Sequence, residues 1–218
     1  MKPIYIVFTG GCHSGKTTSI HIIKKILEKR GKRVYIFSEI IRNHNIGSID
    51  EIRSDANKYM DLQNQIINEK IDMELSLSES NYEEDINRYN CVVLVDRAIT
   101  DSLFYLTFYT DKNGFNDESK KNFINTYNRI QNHLKNINNI YDYVFEFKPI
   151  QNIIENDNFR PKELDKMKEI EYNMIHLYNQ VYFGKYSKYK EIDLNNIKVD
   201  DLENFWENNI SKYTNEEL

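Results

Sequence analysis

At 218 residues, 40% hydrophobic and with a formal net charge of −5, the chain can bury one full core and lacks the basic excess of a general nucleic-acid surface. Two cysteines give neither a disulfide framework nor a metal spacing, and no apolar run approaches membrane-spanning length. With no leader-like stretch after Met1-Lys2-Pro3, the expectation is a cytoplasmic, reducing setting and small-molecule chemistry, without membrane or nucleic-acid partners.

Along the chain, apolar runs alternate with helical patterns, the signature of a parallel sheet wrapped by helices. Ile4 to Phe8 reads as the first strand. A helix follows from Lys16 to about Arg30, with Ile20, Ile23 and Leu27 on its inner face and Gly31 placed as its C-terminal cap. Val34 to Phe37 is the second strand, ending at Ser38-Glu39. Ser48 and Glu51 have capping-box spacing, and a long helical region runs from there to about Ser80 with Ile66, Ile67, Ile71 and Leu75 on one stripe. Cys91 to Val95 is nearly all apolar and reads as a buried central strand, closed by Asp96-Arg97.

Phe123, Tyr127, Ile130, Leu134 and Ile137 recur at spacings of four and three, which predicts a helix packing that face on the sheet. Tyr143 to Phe147 is the fourth strand, followed by a polar loop, Ile150 to Arg160, between Pro149 and Pro161. Leu164, Met167, Met174, Tyr178 and Val181 mark another long helix. Glu191 to Leu194 is a candidate last strand, and Val199, Leu202, Phe205 and Ile210 mark a closing helix. The expectation is therefore one α/β domain over 1–218: a three-layer fold with a parallel sheet of about five strands flanked by helices.

The segment Gly10-Gly-Cys-His-Ser-Gly-Lys-Thr17 has the form G-x-x-x-x-G-K-T, between the first strand and the first helix. Such a loop curls its backbone around a pyrophosphate and points N–H groups inward. Gly10 and Gly15 allow the curl, while Gly11 and Ser14 let phosphate oxygens come close. The following helix adds its N-terminal N–H groups and dipole. The nucleotide segment is thus Gly10, Gly11, Cys12, His13, Ser14, Gly15, Lys16, Thr17 and Thr18, with His13 given no chemistry of its own. Lys16 is placed on the β and γ phosphates of ATP, and Thr17 on Mg2+. Asp96, a carboxylate at the end of a neighbouring strand, is the second candidate Mg2+ ligand.

Arg97 stands where motor ATPases usually have a water-polarising Glu, so water activation is not the obvious chemistry. A guanidinium there suits holding an acceptor beside the γ phosphate, although pairing with Asp101 is an alternative role. Glu39, at a strand end facing the loop, can take the proton that a hydroxyl acceptor loses; an acceptor that is already a phosphate needs no base. Gln63 and Gln65 are weaker candidates for reading a base edge, against an ordinary solvated helix face, and Tyr105 could stack on a base or fill the core.

Asp96-Arg97 after a buried strand, followed by Asp101-Ser-Leu-Phe-Tyr105, resembles the small P-loop kinases of nucleosides and nucleotides. In deoxynucleoside kinases a glutamate at the position of Glu39 acts as general base. Arg42 follows it as in the E-x-x-R pattern of the nicotinamide riboside kinase-like group of ATP-binding proteins. Tyr141-Asp-Tyr-Val-Phe-Glu-Phe147, then Asn156-Asp-Asn-Phe-Arg-Pro161, is similar to that group's fourth strand and D-x-x-R lid, placing Asp157 and Arg160 in a lid at about 149–161. The resemblance implies a P-loop kinase fold, ATP and Mg2+, and a catalytic set of Lys16, Glu39, Arg97 and Arg160. It also implies a nucleoside or nucleotide substrate and pairing of long helices in a homodimer. Cys12 replaces the acidic loop residue of thymidylate kinases and Ala98 their aromatic, which weighs against thymidylate kinase itself; Ala98 also stands where deoxynucleoside kinases commonly have Ser, and Arg160 where their lid carries several arginines, so the base offered by Glu39 is what favours a nucleoside-like hydroxyl acceptor. A nucleoside monophosphate, a polynucleotide 5′ end and a slowly turning nucleotide-binding regulator are the alternatives.

Overall fold

The computed structural model describes residues 3–44, 49–79, 91–108, 115–136, 140–150, 164–185, 188–214 and 218, with the side chains of 42, 43, 49, 50, 77–79 and 164–167 left aside. Five strands form one sheet: β1 (Ile4–Thr9), β2 (Arg33–Phe37), β3 (Cys91–Asp96), β4 (Tyr143–Phe147) and β5 (Tyr189–Ile192). Their order is β2-β3-β1-β4-β5 and every pairing is parallel. The expected α/β sheet of five strands is present, with the last strand two residues earlier than its apolar pattern suggests.

Seven α-helices are described: α1 (Lys16–Lys29), α2 (Ile49–Arg53), α3 (Ala56–Glu79), α4 (Ile99–Phe108), α5 (Asp117–Leu134), α6 (Leu164–Phe183) and α7 (Leu202–Tyr213). Strand alternation sorts them into two layers. Ile6, Phe8, Leu94, Phe145 and Phe147 pack on one face against Ile20, Ile23 and Leu27 of α1 and Leu202, Trp206 and Ile210 of α7. Tyr5, Val7, Val93, Val95 and Val144 pack on the other against α3, α4, α5 and Phe183 of α6. Gly31 ends α1 with φ 79°, as its cap position requires. No described helix is long and apolar enough to cross a membrane.

Several helices differ from the pattern read in the sequence. Residues 49–79, within the region read as one long helix, form two helices, because the Asp55 side chain accepts from the backbone N–H of Asn57 (3.0 Å) and Lys58 (3.2 Å) and caps a new start. Along α3 the buried face is Met60, Gln63, Ile67, Lys70, Ile71 and Glu74, whereas Leu75 is exposed. Helix α5 packs on α3 more than on the sheet: Thr126, Ile130, His133 and Leu134 are buried, Tyr127 is exposed, and Ile137 lies outside the described residues. On α6 the buried line is Glu171, Ile175, Asn179 and Phe183, with Val181 in solvent; Val199 is likewise exposed in a 3-10 turn before α7. Polar residues buried at helical spacing displaced each apolar stripe. Helix α4 carries too little periodicity over ten residues to announce itself.

Candidate active site

The chain reverses direction across the sheet at β1, which lies between β3 and β4, and ligands in open α/β sheets bind at the carboxyl ends around such a point. The register sets Phe8 beside Asp96, and Phe37 beside Val95. The residues following β1, β2 and β3 therefore converge. They line a pocket formed by the loop from Cys12 to Thr18 with Glu39, Asp96 and Arg97.

Gly10 takes φ 126°, and a Cβ there would stand 2.5 Å from the Phe147 carbonyl oxygen, so both backbone angle and space demand glycine. Gly15, at φ 83°, turns the chain into α1, and Ser19 N–H donates to its carbonyl at 3.0 Å. Lys16 folds back over the loop: its ammonium donates to the carbonyls of Gly10 (2.8 Å) and Gly11 (2.6 Å) and to Ser14 Oγ (3.0 Å). Burial and the nearby Arg97 lower its pKa, while Asp96 and Asp101 pull the other way. The ammonium is thus a desolvated charge held at the floor of the loop.

Asp96 ends β3 and accepts a hydrogen bond from Thr17 Oγ1 at 3.0 Å. Two oxygen donors from the loop and the neighbouring strand stand side by side, a set that suits a hard divalent cation. Arg97 follows in a left-handed conformation, φ 73°, with its N–H donating to Phe8 C=O at 2.8 Å. Such strain in a non-glycine residue persists where the surroundings over-determine it. Here Arg97 Nε donates to Glu39 Oε1, Nη1 faces Asp101 Oδ2 at 3.6 Å, and the guanidinium lies 5.1 Å from the centre of the Tyr105 ring. Burial would lower its pKa, but Glu39, with Tyr105, Cys12 and Asp101, holds it well above the usual arginine value.

Two acidic residues at this site escaped the sequence reading or entered it only as a partner for Arg97. Asp101, fully buried in the first turn of α4, accepts from Thr9 Oγ1; burial pushes it up to about 6 against the pull of Arg97 and Lys16. Glu171 of α6 accepts from the Cys12 backbone N–H at 3.1 Å and from the Cys12 thiol at 3.5 Å, and Tyr105 OH donates to the same carboxylate. Burial and then Glu171 raise the Cys12 thiol, so it stays protonated at neutral pH. The signal for Glu171 was available in the sequence as a Glu and an Asn on the i, i+4, i+8 line Glu171, Ile175, Asn179 of an amphipathic helix.

Of the residues predicted for the site, Gly10 to Thr18, Glu39, Asp96 and Arg97 come together. Arg160, Asp157 and the rest of 151–163 lie outside the described residues. Gln63 is buried and Gln65 exposed, and neither lines the pocket, so the solvated-face reading holds for Gln65 and fails for Gln63. Tyr105 meets the Arg97 guanidinium and Glu171 and is only partly buried. His44, His133 and His176 pair with Glu69, Glu74 and Glu146, and no metal cluster of His, Cys, Asp and Glu occurs among the described residues.

Residues 5–189 match the model of a family described as AAA domain. No curated protein sequence matches the chain significantly. Among solved structures, the NadR protein in complex with NR superposes with a TM-score of 0.64 at 17% identity, over 98% of this chain and 52% of its own. The chain thus spans about half the length of that NadR chain. Thymidylate kinase from Candida albicans superposes with a TM-score of 0.56 at 15% identity, over 100% of this chain and 94% of its own. With residues 5–189 inside the family model and nearly the whole chain superposing on these two folds, the chain belongs to the AAA domain family and has the P-loop nucleoside and nucleotide kinase-like fold.

Proposed function

We propose that this protein transfers the γ-phosphoryl group of ATP to a hydroxyl of a nucleoside or nucleoside-like small molecule. The observation that carries this is the pairing of Glu39 with Arg97 in the same pocket as Lys16, Thr17 and Asp96. A carboxylate and a guanidinium at the mouth of a phosphate loop are what transfer to a hydroxyl needs: a base for the departing proton and a cation for charge on the transferred group.

Lys16 would gather the β and γ phosphates, helped by the N–H groups from His13 to Thr18 and the α1 dipole. Thr17 and Asp96 would hold Mg2+, which when bound neutralises phosphate charge and orients the nucleotide. Arg97 would move toward the phosphoryl group, and Glu39, released from it, would take the proton of the acceptor hydroxyl. Arg160, from the lid implied by the resemblance, would complete the cationic set.

Charge supports a hydroxyl acceptor over one already phosphorylated. Around the loop the described carboxylates are Glu39, Asp96, Asp101 and Glu171, against the cations Lys16 and Arg97. Even with one Mg2+ on Asp96, a second phosphate would enter beside Glu39 and Glu171. The test is ADP formation across free nucleosides and their monophosphates; stimulation by monophosphates alone would move the acceptor to the nucleoside monophosphate class.

A further inference from the structure

Beneath the phosphate loop lies a knot of polar side chains with no exposure at all: Thr9, Thr100, Asp101, Asn179 and Glu146. Thr9 is the last residue of β1, directly before Gly10. Its hydroxyl donates to Asp101 Oδ1 and accepts from Asn179 Nδ2 at 3.0 Å, while Thr100 Oγ1 donates to Asn179 Oδ1 at 2.6 Å. One oxygen of Asp101 is thereby fixed to the stem of the loop. The other, Oδ2, has no hydrogen-bond partner, and neither has Arg97 Nη1, which is buried and faces it at 3.6 Å. Each atom is the partner the other lacks, and a shift of well under 1 Å would make the bond. Buried charged groups are rarely left in this way without a use.

We propose that Asp101 is a positioning residue for phosphoryl transfer: anchored on Thr9, its carboxylate holds the Arg97 guanidinium in register with the phosphate loop when Glu39 lets go. This rests on the kinase reading above. In the present arrangement Glu39 meets Nε and Asp101 meets Nη1, so Arg97 is held by two carboxylates at two different nitrogens. A guanidinium leaving Glu39 for a phosphate keeps Asp101 as its second partner, and its direction is set from the loop's own stem.

The arrangement has a chemical consequence. Because Oδ1 is engaged by Thr9, a proton on Asp101 settles on Oδ2 and gives Arg97 a donor where it needs an acceptor. Asp101 stands at about 6 because burial outweighs Arg97 of the β3–α4 turn, Lys16 of the loop, the Thr9 hydroxyl of β1 and Lys70 of α3. It also faces Glu146 of β4 and Tyr141 before β4, both of which its charge raises. Mild acid should therefore uncouple Arg97 from the loop.

The experiment follows the Arg97 Nε–H resonance in 15N-arginine-labelled protein, assigned with Arg97→Lys, from about pH 5 to 8 without nucleotide or acceptor. The proposal expects a titration with a midpoint near 6 in the wild type, its loss in Asp101→Asn and its persistence in Glu39→Gln. That last variant keeps the test decisive if Asp101→Asn does not fold. With an acceptor in hand, Asp101→Asn should lower kcat by about 10- to 100-fold and remove the acid limb near pH 6, with KM for ATP changed by less than about threefold. A flat resonance, the same titration in Asp101→Asn, or an unchanged kcat overturns the proposal. If no acceptor is phosphorylated by the wild type, the kinase reading falls, and the resonance alone decides whether Asp101 governs Arg97.

Discussion

Glu39 and Arg97, 58 positions apart in the chain, form an ion pair across the ends of β2 and β3, with both side chains largely shielded from water. The pair puts a candidate base and a candidate phosphate ligand in direct contact before any substrate arrives. A carboxylate so engaged is not free to take a proton. Nucleotide that draws Arg97 away would release it, which would couple base activation to donor binding.

Glu39→Gln should leave ADP affinity within a few-fold of wild type, because the amide still fills the space and accepts from Arg97 Nε, and should lower phosphoryl transfer by about 10²-fold or more. Titration calorimetry with ADP and steady-state assays separate the two effects. Transfer at the wild-type rate would remove Glu39 from the chemistry.

Gly10→Ala places a methyl 2.5 Å from the Phe147 carbonyl oxygen at a backbone angle of φ 126° that L residues avoid. Backbone must move at the base of the loop. The expected result is a loss of about 2 kcal/mol or more of stability and at least about tenfold in nucleotide affinity, read by thermal unfolding and ADP titration.

Asp101 also predicts a stability profile. Its folded pKa, about 6, lies above its ordinary value of 3.8, chiefly because of burial. The protonated form is therefore the favoured one in the fold, and its contribution is present below pH 4 and lost as pH rises through 6. Relative to wild type, Asp101→Asn should gain on the order of 2–3 kcal/mol between pH 4 and 8. Unfolding of both proteins by urea at the two pH values checks this; parallel profiles would contradict it.

Glu171 and Cys12 give a test at the other wall of the site. After burial, Glu171 is the largest influence raising the Cys12 thiol. Glu171→Gln removes that charge and keeps an acceptor for the Cys12 N–H, so the thiol pKa falls and the thiolate fraction at fixed pH rises. Alkylation of Cys12 by iodoacetamide at pH 8 should quicken several-fold, by roughly the change in thiolate fraction. An unchanged rate would mean that Glu171 does not govern the thiol.

The loop was legible in the sequence because its glycines, lysine and threonine answer to local backbone geometry. The sheet was legible because fully buried parallel strands, such as Cys91–Asp96 with every residue buried, read as apolar runs. Glu39, Asp96 and Arg97 could be found because strand ends of a parallel sheet face one edge. Buried polar residues were hidden for the opposite reason. Lys70 and Glu74 pair at i,i+4 on α3, but what buries them is distant: His133 of α5, 59 positions from Glu74, and Tyr141 before β4, 67 positions away, whose OH donates to Glu74 at 2.5 Å. At the site itself the two acids are half legible: Asp101 is i,i+4 from Arg97 and Glu171 shares a helical line with Ile175 and Asn179, but their other partners, Thr9 and Cys12, lie 92 and 159 positions away. A charged letter reads as solvent-facing until the fold supplies such a distant partner, and no local pattern supplies it.

ADP release from ATP and Mg2+ tests the central claim most directly, measured across ribonucleosides, deoxynucleosides, nicotinamide riboside, their monophosphates and a 5′-hydroxyl oligonucleotide, with Lys16→Ala as the blank. Strong stimulation by a free nucleoside, absent in Lys16→Ala, is the predicted result. Stimulation by monophosphates or the oligonucleotide alone, or a panel no different from the blank, would contradict it.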